Sequence, residues 1–386
     1  MKKTLLAAAL LAGFAGAASA QSSVTLYGIV DAGVRYQAWN FSNDRGSFGT
    51  SSIAATSNGE ATSRLGFRGV EDLGGGTRAS FVYEFGLVPQ VGSMATTNMR
   101  QTTIGLSNAK WGNFEMGRQL GLASKFGGRI DPFGSTTPIA NWSNSFGIST
   151  IRYNNLLMYR TPNFSGFQAG VSYSFNTGLA TVGRNAAGAV VPVTDPGNAF
   201  VTANNQRAMS LAASYTNGPV YVFGTYDQIR ASDTAPTRGD SVSTWIIGGE
   251  YDAKVVKAAL AYGQVRDGYI NGQTTIGFDT KSAGVDNPTS NGGVIFANGA
   301  GANSFLVALT APINPKSKVV ASYQNMSGTG TLKDAGAKTQ NILGLGYQYA
   351  FTKRTDLFAY YAYTNNYQTI SGLSSNTVGV GLRHNF

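Results

Sequence analysis

Residues 113–160 read NFEMGRQLGLASKFGGRIDPFGSTTPIANWSNSFGISTIRYNNLLMYR. Two strand-like runs, 113–119 and 151–160, flank a segment, 120–150, that has neither the period of a strand nor that of a helix. The segment carries Gly127-Gly128, Asp131-Pro132-Phe133-Gly134 and Trp142, and Trp111 lies just before it. Structureless connections of this length are uncommon in a compact domain and are usually functional. What the loop serves depends on what the flanking chain forms.

The flanking chain reads as strands throughout. In residues 24–36, Leu26, Gly28, Val30, Ala32, Val34 and Tyr36 share one face, and Thr25, Tyr27, Ile29, Asp31, Gly33 and Arg35 the other. This period of two opposes an apolar or small face to a mixed polar one. Residues 62–70 and 77–88 repeat it around the turn Glu71-Asp72-Leu73-Gly74-Gly75-Gly76. Further pairs of runs flank short turns at 162–166, 216–219, 252, 314–316 and 352–354, and residues 376–386 close the chain. The count is about sixteen strands. Long polar loops alternate with the short turns, at 39–61, 89–98, 120–150, 177–205, 230–240, 267–302, 327–338 and 364–375. Strands with an apolar face toward lipid and a polar face toward water, joined by short turns at one end and long loops at the other, are expected of a transmembrane barrel. The fold class expected is therefore all-β: one 16-stranded antiparallel transmembrane β-barrel with short periplasmic turns, long outer loops and an inward-folded third loop, which is the stretch 120–150.

Composition agrees. Charged residues are 12%, about half the usual share of a soluble domain, and the mean hydropathy is −0.09. After the first residues no apolar run approaches the ~18 residues of a membrane helix. Fifty glycines, 19 tyrosines and 21 phenylalanines suit a barrel with many turns and aromatic girdles. Residues 1–20 read as a cleaved signal peptide, with Lys2-Lys3, an apolar stretch and the cleavage signal Ala18-Ser19-Ala20. The barrel domain is then 21–386, exported through the periplasm. There is no cysteine, hence no disulfide and no Cys-based metal site, and no cofactor or metal is expected.

The net charge of +10 includes Lys2 and Lys3 of the leader. The remaining basic residues are dispersed along the strands, not clustered as in a nucleic-acid binder, so no nucleic-acid partner is expected. A lipid-facing Arg or Lys at mid-membrane costs roughly 2–4 kcal/mol, so strand arginines should face the lumen. Alternation places Arg64, Arg68, Arg78, Arg152, Arg160 and Glu84 inward. It places Arg100 and Arg118 outward, unless a bulge turns them or they lie at a rim. Glu84 and Asp131 would face the arginines and set a transverse field, or hold the guanidinium groups in place. The sole histidine, His384, falls on the outward face with Leu382, so the residues offer no nucleophile–base pair and no enzyme is expected.

Several motifs together resemble the Gram-negative general porins of the β-proteobacterial type, and most closely their anion-selective members. They are Ser23-Val24-Thr25-Leu26-Tyr27-Gly28, Ser63-Arg64-Leu65-Gly66-Phe67-Arg68-Gly69 with Glu71-Asp72-Leu73-Gly74, Met116-Gly117-Arg118-Gln119, Tyr153-Asn154-Asn155-Leu156, and Gly381-Leu382-Arg383-His384-Asn385-Phe386. The terminal Phe386 resembles the sorting signal of outer-membrane proteins. The resemblance implies a homotrimer in the outer membrane, surrounded by lipid and lipopolysaccharide, with residues 89–98 reaching over a neighbouring subunit. It implies passive diffusion of small hydrophilic solutes and ions, favouring small inorganic and organic anions. The alternative is a substrate-preferring channel for small organic anions. It also implies a basic constriction at Arg64, Arg100 and Arg152, opposed by Glu84 and Asp131, and so favours an inward Arg100. Arg68 and Arg160 join the basic set by their lumen-facing parity.

Overall fold

The computed structural model describes residues 23–43, 46–57, 59–94, 99–134, 136–179, 181–184, 190–193, 205–233, 239–270 and 293–386. The leader and its cleavage signal lie outside them. Sixteen strands close into one antiparallel barrel. In chain order they are β1 (Ser23–Asn43), β2 (Arg64–Gly74), β3 (Thr77–Val88), β4 (Gln101–Asn108), β5 (Gly112–Leu120), β6 (Arg152–Arg160), β7 (Phe167–Ser174) and β8 (Arg207–Asn217). The second half comprises β9 (Val220–Arg230), β10 (Ser241–Asp252), β11 (Lys257–Ile270), β12 (Val294–Asn314), β13 (Ser317–Gly330), β14 (Gln340–Ala350), β15 (Thr355–Asn365) and β16 (Leu373–Asn385). Each strand pairs with its sequence neighbour, and β16 closes on β1 through the register Ile29↔Asn385 to Phe41↔Leu373. Phe386 completes the seam: its N–H donates to the Gly28 carbonyl and its own carbonyl accepts the Gly28 N–H, both at 3.1 Å. A Cβ on Gly28 would lie 2.3 Å from the Phe386 ring, so this position needs glycine for the terminal aromatic to seat.

Period two decides which face is which. Val24, Leu26, Val30, Val34 and Tyr36 of β1 are exposed on the outside, while Asp31 between them is fully buried within. Ile104 and Leu106 of β4 and Val378, Val380 and Leu382 of β16 continue the outer apolar surface. At the short-turn end, Gly74, Gly75 and Gly76 adopt φ of 85°, 59° and 78°, a run that only glycine tolerates without strain. Among the described residues no helix is long and apolar enough to cross a membrane.

Strands extend beyond the sequence expectation at the long-loop end. The expected loop 39–61 is largely a projecting hairpin, Gly46–Ser57 pairing with the upper half of β1 from Asn43 back to Ala32. The chain then dips inward at 59–63. There the Asp31 carboxylate accepts the main-chain N–H groups of Gly59, Glu60 and Ala61, each at 2.8 Å. Three short hydrogen bonds to one carboxylate satisfy a buried charge and fix the dip against β1.

The stretch 120–150 also differs from expectation. It contains a short helix, α1 (Leu122–Gly127), and three 3-10 turns, at Gly128–Ile130, Trp142–Asn144 and Gly147–Thr150. Its side chains are largely buried inside the barrel.

Candidate functional site

The inward loop is held by two apolar clusters and a set of wall-to-loop hydrogen bonds. Leu122, Phe126, Ile130, Trp142, Phe146 and Ile148 cluster with the inward side chains of β6 and β8–β12, among them Met158, Phe223, Ile246 and Leu306. Phe133, Ile139 and Ala140 cluster with Val320, Ile342, Phe358 and Tyr360 of β13–β15. Small wall residues make the room: a Cβ on Gly344 would come within 2.7 Å of the Phe133 ring. Tyr221 donates to the Phe126 carbonyl at 2.6 Å, Gln324 to the Ala140 carbonyl at 2.6 Å and Gln340 to the Asn144 carbonyl at 2.9 Å. Thr137 ties the loop tip to the Gly59 carbonyl at 2.7 Å. The inner wall of β8–β15 is therefore a seat for the loop, and this is why many of its inward residues are apolar or small.

The other side of the lumen is charged. Glu84 on β3 is almost fully buried, and arginines gather around it. Arg100 Nε lies 2.7 Å and Arg64 Nη1 3.8 Å from Glu84 Oε1. Tyr27 donates its hydroxyl to Glu84 Oε2 at 3.1 Å. Gly66 stands between these strands, opposite both Tyr27 and Glu84, and its missing side chain lets the Tyr27 ring lie across it. Arg152, at the start of β6, has Arg100, Glu84, Arg118 and Arg64 as its electrostatic neighbours. Arg68, four residues along β2 from Arg64, stacks over the Tyr27 ring at 5.5 Å.

Alternation alone sent Arg100 and Arg118 toward lipid. Arg100 precedes the first residue of β4, so the strand's alternation does not govern it, and its main-chain N–H bonds the Glu84 carbonyl at 2.8 Å. Arg118 sits at an irregularity in the ladder. Gly117 has φ 129°, and on β6 Asn154 and Asn155, the latter at φ 48°, together face the single residue Arg118. Arg118 donates from Nε to the Met99 carbonyl at 2.6 Å and from Nη1 to Asn154. The same bulge breaks the parity argument that linked Arg152 to Leu157 and Tyr159.

Two expected residues have other bonding partners. Arg160 is eight residues along β6 from Arg152, roughly 26 Å at strand rise. It bonds Glu115 at 3.2 Å, and the same carboxylate oxygen receives Lys125 of α1 at 3.0 Å. Parity gave its side of the wall but not its height, so Arg160 is not one of the group around Glu84. Burial pushes the Lys125 ammonium down from its ordinary range, with Glu115 opposing. Asp131 is buried in the loop, where Oδ1 accepts the Phe133 N–H at 2.9 Å and Oδ2 the Trp142 N–H at 3.1 Å. It braces two turns of the loop, a task the sequence reading did not give it.

A closed barrel, a loop seated inside it and a charged wall facing that loop are the parts of a diffusion channel. The Gram-negative porin family model matches residues 7–369. The chain is a Gram-negative porin. It is similar to an outer membrane porin protein of Bordetella pertussis, 41% identical over the full length of both chains. It is also similar to outer membrane porin protein 32 of Delftia acidovorans, 31% identical over the full length of both. Among solved structures, the anion-selective porin from Comamonas acidovorans superposes with a TM-score of 0.67 at 26% identity, covering 95% of this chain and all of that one. The porin is thus a channel of the outer membrane and not an enzyme.

Sequence reasoning missed three charged groups of this porin. Arg129 of the loop binds Glu250 at 2.6 Å and lies 4.1 Å over the Tyr221 ring. Glu115 joins Arg160 to Lys125. Arg383 of β16 bridges Glu60 at 2.7 Å and Asp356 at 2.6 Å. Opposite charges on the inward parity of neighbouring strands, such as Asp356 and Arg383, could have signalled the last of these. The loop partners could not, because no alternation fixes where a folded-in loop lands.

Proposed function

We propose that this porin is a homotrimeric, weakly anion-preferring diffusion channel whose constriction is the space between the seated loop and the arginines around Glu84. The observation that carries the reading is the charge imbalance there: Arg64, Arg100, Arg118 and Arg152 gather near one carboxylate. A guanidinium about 4 Å from an anion contributes ~1 kcal/mol in bulk water and ~4 kcal/mol at an effective dielectric near 20. A few such groups in a wet passage enrich anions without trapping them, which conduction requires. Similarity to the anion-selective porin from Comamonas acidovorans supports the same sign of selectivity. Trimer formation is consistent with the exposed apolar outer wall and with the exposed Val91 and Met94, which follow β3 in the segment expected to cross to a neighbour. The test is the reversal potential of the full chain in a planar bilayer under a KCl gradient. Anion preference at low salt supports the reading, and equal or cation-favouring permeability at low salt refutes it.

A further inference from the structure

The dip at 59–63 brings a second charged cluster together on the opposite flank of β1 from the arginine wall. Glu60 reaches Arg383 of β16, Asp356 of β15 and Gln348 of β14, and Lys318 of β13 is a further electrostatic neighbour. Asp31 of β1 holds its main chain, and the loop residues next to it, Pro132, Phe133 and Thr137, are uncharged. The hydrogen bonds around the two carboxyl groups are uneven. Glu60 Oε1 accepts from Gln348 Nε2 and forms an ion pair with Arg383 Nη1 at 2.7 Å. Asp356 Oδ2 accepts from Arg383 Nε at 3.1 Å and Nη2 at 2.6 Å. The remaining oxygens, Glu60 Oε2 and Asp356 Oδ1, are both buried and receive no donor from the protein. One guanidinium, Arg383, bridges the two side chains, which brings Glu60 and Asp356 within interaction reach of each other.

Two carboxylates cannot hydrogen-bond without a proton between them, and two buried oxygens facing no donor are costly. We infer that Glu60 and Asp356 form a proton-binding site, sharing one proton between Glu60 Oε2 and Asp356 Oδ1 while the single Arg383 guanidinium holds their outer oxygens. Glu60 then donates to Asp356, accepts from Gln348 and keeps its ion pair with Arg383, so every carboxyl oxygen of the pair has a partner. Burial, then the bond with Asp356, pushes the Glu60 carboxyl up to about 8, with Arg383 opposing. Release of the proton lowers the net charge of the cluster around Arg383, Lys318, Glu60, Asp356 and Asp31 by one. Arg383 also lies within electrostatic reach of Arg64. The site therefore makes the positive potential of the lumen a function of pH, and in this respect it rests on the channel reading above.

The experiment has two arms on the full-length reconstituted protein. In the infrared arm, the carbonyl band of protonated carboxyl groups is followed through a pH titration. Glu60→Gln and Asp356→Asn should each remove the same component of that band, one that titrates near 8 in the parent, and the double variant should remove no more than either alone. A band unchanged in either variant, or losses that add in the double, overturns the shared proton whether or not the protein conducts. In the bilayer arm at low salt, anion preference should fall as pH rises through this range in the parent and hold in Glu60→Gln. Equal pH profiles in the two, with the infrared result as expected, would overturn the link to selectivity and leave the proton site standing.

Discussion

Arg100 grips Glu84 twice: its Nε lies 2.7 Å from the Glu84 carboxylate, and its main-chain N–H donates to the Glu84 carbonyl at 2.8 Å. The side chain and backbone of one residue are thus fixed to the same residue on β3. This clamp holds a guanidinium inside the lumen at a position that strand alternation would have assigned to lipid.

Glu84 is the carboxylate that gathers the group. Glu84→Gln removes its charge but keeps its size. Anion preference at low salt should rise, because the arginines lose their counter-charge. Removing one partner of a buried pair is also destabilising, by about 3–5 kcal/mol. Heat stability of the folded barrel in detergent should fall with the change. An unchanged reversal potential would show that Glu84 is electrically remote from the passage.

Arg152 and Arg160 separate charge from position. Uninterrupted alternation would put both on the lumen side at equal standing, yet Arg152, beyond the bulge, neighbours the Glu84 group and Arg160 is paired with Glu115. Arg152→Ala should lower anion preference measurably. Arg160→Ala should change it much less, leaving Glu115 paired with Lys125 alone. Equal effects on reversal potential would contradict the placement.

Gly344 tests the seating of the loop. A Cβ there would lie 2.7 Å from the Phe133 ring and 2.9 Å from Ala140. Gly344→Val should therefore displace the loop tip, at about 1–3 kcal/mol of overpacking cost. Single-channel records should become noisier while the circular-dichroism spectrum of the barrel is kept.

Glu60 gives a pH slope to stability. Its carboxyl, ordinarily near 4.5, stands at about 8 in the folded chain. Across that interval the folded state holds a proton that the unfolded chain has released. The unfolding free energy should therefore fall as pH rises from 4.5 toward 8, and this contribution should level off above it. Thermal unfolding of the parent minus that of Glu60→Gln isolates this slope, and a difference that does not change with pH would contradict it.

The strands were legible because one physical rule, an apolar face for lipid and a polar face for water, acts on every second residue. The outward positions from Val24 to Tyr36 and from Val378 to Leu382 follow it. It fails where the backbone stops alternating: at Arg100 before its strand, and at Arg118 opposite Asn154 and Asn155. It also misleads on β8–β12, where Phe223, Ile246 and Leu306 point inward yet are apolar, because the lumen there is filled by the loop and not by water. Asp131 and Glu115 were beyond reach for the same reason. Asp131 bonds within the folded-in loop and Glu115 receives Lys125 from it, contacts with no sequence period.

The central claim is that the arginines around Glu84 set the ionic preference of the passage. The most direct test is the reversal potential across a bilayer under a KCl gradient, for the parent and for a variant with Arg64, Arg100 and Arg152 all changed to Gln. The Debye length is about 10 Å at 0.1 M and 3 Å at 1 M, so the comparison belongs at low salt and should shrink at high salt. The account predicts an anion-favouring potential in the parent that is abolished or reversed in the variant. The same anion-favouring potential in both would contradict it.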